Sequence, residues 1–131
     1  MSLCGENKNM KRVTGIGGIF LKADNPKELA AWYEKHLGID FGGKVYADFQ
    51  FQREEKGWTA FSLFDADTKY FEPSKKEFMI NFRVDNLDAL LEVLRAEGVH
   101  VFSEREDSDY GKFGWILDIE GNKIELWEPV E

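Results

Sequence analysis

A chain of 131 residues that is 43% hydrophobic and 15% aromatic has the length and apolar content of one folded domain, which excludes intrinsic disorder. Asp and Glu outnumber Lys and Arg by 25 to 17, and the resulting net charge of −8 argues against nucleic acid as a partner. No apolar run approaches the roughly 18 residues of a membrane span and no charged-then-apolar leader opens the chain, so the sequence reads as a cytoplasmic protein without a membrane partner.

In chain order, residues 1–12 are polar and unpatterned and read as a flexible arm. The arm holds the single cysteine, Cys4, so neither an internal disulfide nor a thiolate metal cluster is possible. Residues 13–23 read as a strand, punctuated by Ile16, Ile19, Leu21 and Ala23. A helix follows: Asn25 is placed to cap it, Pro26 suits its first position, and Glu28 completes a capping box. Leu29, Trp32, Tyr33 and His36 share one face of it, and Gly38 stops it. Residues 44–53 and 59–64 are strand-like and are separated by the charged turn Glu54-Glu55-Lys56-Gly57.

Residues 65–77 are polar, carry Pro73 and have no period, as expected of a connection. Beyond it Phe78, Ile80, Phe82 and Val84 alternate as a half-buried strand, and Asn86 can cap a helix carrying Leu87, Leu90, Leu91 and Leu94 that ends at Gly98. Short strands at 99–102, 113–119 and 123–127 close the pattern, the last two joined by a turn at Glu120-Gly121-Asn122. The second half repeats the first, since Asn25 and Asn86, like Leu29 and Leu90, lie 61 residues apart. This is an α+β pattern of two βαβββ modules, 13–64 and 78–129, within one domain spanning 13–131. Each module leaves one sheet face uncovered, so two side by side can curl into a cup with the helices outside and a ligand within.

The segments DNPKELAAWYEKHLG, NFRVDNLDALLEVLRAEGV and YGKFGWILDIEGNKIELWEP together resemble the vicinal oxygen chelate superfamily, which includes glyoxalase I, bleomycin-resistance proteins and extradiol dioxygenases. The resemblance spans residues 14–129 and implies the paired-module cup. It also implies a homodimer, and leaves open whether each cup is built within one chain or across two. Metal-using members place one ligand on the first and one on the last strand of each module, and the matching positions here are Gly18, Phe61, Met79 and Glu125. Glu125 alone is a credible ligand, so no metal site and no cofactor are expected, with a divalent metal as the alternative. His36 lies on the helix face outside the cup, and His100 sits on a short strand of unknown facing.

Strand alternation puts Lys123, Glu125 and Trp127 on one face and Ile124 and Leu126 on the other, which should meet the helix. Glu125 would then point into the cup, as a general base whose pKa burial raises or as a structural partner of Arg83 or Lys22. The same alternation lines the cup with Phe20, Phe61, Met79, Asn81 and Arg83, while Tyr110 and Trp115 stand at its rim with Trp58 and Phe113. The expected function is that of a bleomycin-resistance-like protein holding a small organic molecule, the acidic net charge favouring a cationic guest. The alternatives are a metal-dependent glyoxalase-type lyase or isomerase, a dioxygenase, a Glu125-based acid–base enzyme, and an interaction domain whose cup is plugged by its own side chains.

Overall fold

The structure, a computed structural model, describes residues 16, 18–51 and 57–130. The expected arm at 1–12, the opening of the first strand at 13–15 and residues 54–56 of the charged turn lie outside these described residues.

Both helices begin where their caps are written. The side chain of Asn25 accepts the Glu28 N–H at 3.1 Å to start α1 (Pro26–Leu37), and Gly38, at φ 70°, ends it in the left-handed conformation. The side chain of Asn86 accepts the Ala89 N–H at 3.1 Å to start α2 (Leu87–Ala96). Four strands, β1 (Ile80–Arg83), β2 (Val101–Ser108), β3 (Gly111–Leu117) and β4 (Lys123–Pro129), form a curled, unclosed sheet in the order β1-β4-β3-β2. The central pair β3 and β4 is antiparallel, as is β2 with β3, whereas β1 runs parallel to β4 because α2 carries the chain across the sheet.

One core cluster joins the two helices to the sheet. Leu29, Trp32 and Tyr33 of α1 and Leu87, Leu91 and Leu94 of α2 pack with Ile116, Ile124 and Leu126. α1 is further tied down by polar contacts: Tyr33 Oη donates to Asp118 Oδ2 at 2.8 Å, and His36 Nδ1 meets Glu97 Oε1 at 2.8 Å beside the Trp32 ring. Burial, reinforced by the Asp118 carboxylate, pushes the Tyr33 phenol well above the ordinary range, so it remains a donor. Glu120, in the turn between β3 and β4, accepts the N–H groups of Asp24 and Asn25 at 3.0 Å each. A carboxylate there satisfies free amides at the positive end of the α1 dipole.

Two segments depart from expectation. β2 continues to Ser108, well past the expected end at residue 102, because Ser103-Glu104-Arg105-Glu106-Asp107-Ser108 is an exposed edge strand whose charged side chains carry no apolar alternation. The following turn needs Gly111, at φ 126°, where an added Cβ would collide with the Glu128 carbonyl. In the first half, residues 18–23, 46–51 and 58–64 make no ladder among the described residues. Their strand-like composition favours an open backbone, but a ladder also needs an edge in register, and glycines at 15, 17 and 18 leave the opening segment few side chains to pack.

Leu94 is fully buried, so Leu94→Ala should lower unfolding stability by about 2–5 kcal/mol in urea denaturation. Acid should act through Glu120, whose carboxyl is held below its ordinary value of 4.5 by the Asn25 and Asp24 amides. The folded value is the lower one, so its contribution is complete above the unfolded value and is lost as pH falls through the folded one. The acid limb of a pH series of denaturation midpoints should therefore be shallower in Glu120→Gln.

Candidate functional site

The alternation of β4 divides its side chains as its sequence requires. Ile124 and Leu126 enter the core, and Lys123, Glu125 and Trp127 face the other way, onto the sheet surface that no helix covers among the described residues. Asn81 of β1 and Trp115 of β3 are the register partners of Glu125, so all three side chains meet on that surface.

Glu125 is only 9% exposed, and a buried carboxylate requires hydrogen-bond donors. Asn81 Nδ2 donates to Oε2 at 2.7 Å, Trp115 Nε1 to Oε1 at 3.0 Å, and Tyr70 Oη to Oε1 at 2.6 Å. Tyr70 arrives from the connection between the two halves, its ring stacked on Phe64 at 5.5 Å and edge-on to Trp115 at 6.1 Å. Burial, then the hydrogen bond to Glu125 and its charge, hold the Tyr70 phenol far above the ordinary range, so it stays protonated.

Lys123 forms the second part of the site. Its Nζ donates to the Tyr70 carbonyl at 2.6 Å and lies 5.2, 5.1 and 5.7 Å from the ring centres of Tyr70, Phe102 and Trp115. Burial pushes its ammonium pKa down, opposed by the carboxylates of Glu125 and Glu104. Above these groups opens a cavity of about 400 Å³ with Tyr70, Phe102 and Trp115 as aromatic walls. Lys69, Glu72, Glu104 and Lys123 supply its charged lining.

Of the expected site residues, Glu125, Asn81 and Trp115 are brought together, and Met79 lies half-buried just before β1. Phe20 and Phe61 are not brought there: they are 94% and 82% exposed on segments that pair with nothing among the described residues. Arg83 and Tyr110 belong to the other end of the sheet. Arg83 Nη1 donates to the Trp58 carbonyl at 3.2 Å, and the Tyr110 carbonyl accepts Trp127 Nε1 at 2.7 Å. There Trp127 meets Trp58 edge-on at 5.1 Å and stacks on Phe113 at 5.9 Å, a packed aromatic cluster. The ion pair expected of Glu125 with Arg83 or Lys22 is replaced, among the described residues, by three neutral donors.

Sequence reasoning missed Tyr70, Phe102 and the part played by Lys123. Two adjacent aromatics, Tyr70 and Phe71, in an otherwise polar connection were the available signal for the first, and shared strand parity with Glu125 was the signal for the last. Phe102 carried none, since its facing depends on the irregularity of β2 between Val101 and Arg105.

The residues do not fit the metal centre implied by the resemblance. Gly18, Phe61 and Met79 offer no hard donor; His36 is engaged with Glu97, and His100 is exposed with its ring against Phe102. Among the described residues no group of three or more His, Cys, Asp or Glu side chains is placed to hold a metal ion, and no helix is long and apolar enough to cross a membrane.

A family profile described as "Glyoxalase-like domain" matches residues 18–127. Among solved structures, one titled "conserved domain protein" is similar at a TM-score of 0.59 and 14% identity, covering 89% of this chain and 100% of that one. TioX from Micromonospora sp. ML1 aligns at a TM-score of 0.48 and 12% identity, covering 85% of this chain and 93% of its own. No curated protein sequence matches.

Glu125→Ala would leave three donors without their acceptor, a loss of about 1–3 kcal/mol for each one that water cannot reach, whereas Tyr70→Phe deletes one hydrogen bond and should cost about 1 kcal/mol. Urea denaturation of the two variants should rank them in that order.

Proposed function

We propose that this chain, which belongs to the glyoxalase-like domain family, holds a small organic molecule in the aromatic-walled cavity beside Glu125 and Lys123. The observation that carries this reading is the cavity itself. A space of about 400 Å³ lined by three aromatic rings and a half-buried lysine, two of the rings held from behind by Glu125, has the make-up of a small-molecule site. Trp115 provides both a wall and a reporter, and Glu125 fixes that wall by holding its indole N–H. A second reading, Glu125 as an acid–base catalyst, draws support from the 2.6 Å hydrogen bond between Tyr70 Oη and Glu125, which offers a proton path between the two. The metal-dependent lyase, isomerase and dioxygenase readings call for donors that the positions beside Glu125 do not supply.

Titration with small aromatic compounds should change the tryptophan emission of the wild type. Phe102→Ala should weaken the tightest binder about tenfold, the equivalent of one aromatic contact at about 1.4 kcal/mol. No emission change across such a panel, with isothermal titration calorimetry equally silent, would sink the binding reading.

The same reading takes the protein as a homodimer. Among the described residues, eleven of the sixteen exposed large hydrophobic ones lie between Ile16 and Phe64, among them Phe51 at 99% and Leu63 at 89% exposure. Phe20, Tyr46, Phe49, Phe51, Phe61 and Leu63 together offer roughly 1,000 Å² of apolar side chain to solvent. That area matches the roughly 800 Å² per partner of a stable interface. Light scattering should give twice the chain mass of 15.2 kDa at micromolar concentration, and Phe51→Lys with Phe61→Lys should return it to one.

A further inference from the structure

The charges lining the cavity are not equivalent. Lys69 Nζ lies 3.8 Å from Glu72 Oε2 and both are exposed, so this pair is already balanced and wet. Glu104 stands on the exposed edge strand β2. Glu125 has its oxygens occupied by Tyr70, Asn81 and Trp115. That leaves Lys123, half-buried at the floor among three rings, with one of its three N–H donors given to the Tyr70 carbonyl and no carboxylate within ion-pair distance among the described residues.

We propose that the cavity selects planar aromatic anions, aromatic carboxylates above all, with the guest carboxylate on Lys123 Nζ and its ring among Tyr70, Phe102 and Trp115; this rests on the small-molecule reading given above. A partly desolvated ammonium gains more from an arriving anion than an exposed lysine does, because water screens the contact less. Burial pushes the Lys123 ammonium down more than the Glu125 and Glu104 carboxylates raise it, and an anion in contact with Nζ would counter that push. Selection would thus come from the placement of Lys123 within the cavity, against a net charge of −8 that by itself would draw in a cation.

Three probes of one shape test this: benzoate, neutral benzamide and cationic benzamidinium, titrated into the full chain by calorimetry at pH 7. Benzoate should bind at least tenfold more tightly than benzamide, with benzamidinium weakest. Lys123→Met should reduce benzoate to the benzamide level, and Lys123→Arg should keep the preference. Benzamide equal to benzoate, benzamidinium tightest, or an undiminished preference in folded Lys123→Met would overturn the anion assignment while leaving a neutral-ligand cup intact. Failure of all three probes to bind would overturn the underlying small-molecule reading and this inference with it. Should Lys123→Met not fold, the order of the three probes on the wild type and on Lys123→Arg decides the matter alone.

Discussion

A carboxylate placed on a sheet face away from bulk water is the constraint around which this molecule is organised. Glu125 can be buried only if donors reach both of its oxygens, and those donors come from three stretches distant in sequence: the connection at Tyr70, β1 at Asn81 and β3 at Trp115. Satisfying one charged group thereby fixes the position of an indole, an amide and a phenol relative to one another. The walls of the cavity are set by that polar requirement as much as by hydrophobic packing. Lys123, two residues before Glu125 on the same strand face, inherits the setting: its ammonium rests on the carbonyl of the tyrosine whose hydroxyl serves the carboxylate.

Acidic side chains organise the opposite side of the sheet as well. Glu120 holds the amides that open α1, and Glu128 Oε1 accepts the N–H of Leu87, the first residue of α2, at 2.9 Å. Glu120 lies in the turn that leads into β4 and Glu128 near the end of β4, so the strand and its turn anchor both helix N-termini while the central residues of β4 alternate between core and site. Part of the excess of acidic residues is thus structural, committed to helix amides rather than to long-range steering of a guest.

The second half of the chain was legible because its signals are local. Asn86, the leucines of α2 and the alternation at 123–127 specify cap, helix face and strand face within a few residues of each other, and the structure follows them. The first helix was legible for the same reason, from Asn25 to Gly38. The strands expected at 13–23, 44–53 and 59–64 were not secured by equally clear alternation, since a ladder depends on a partner edge that no local pattern encodes. The site divides in the same way. Glu125, Asn81 and Trp115 followed from strand parity and register, whereas Tyr70 comes from a segment without period and Phe20 and Phe61 were assigned by a parity that only a formed sheet would enforce.

The contact between His36 and Glu97 carries a different implication. These residues stand 61 positions apart, the spacing that relates the helix caps Asn25 and Asn86, so positions that match relative to the two caps touch each other. In a symmetric pair of identical half-length chains, a point that touches its own equivalent lies on the twofold axis and must face an identical residue. Acid would oppose acid there, or base oppose base. Within one continuous chain the two positions are independent, and that restriction does not apply. A histidine on one side and a glutamate on the other is a complementary contact that a symmetric pair of identical chains could not make at its axis.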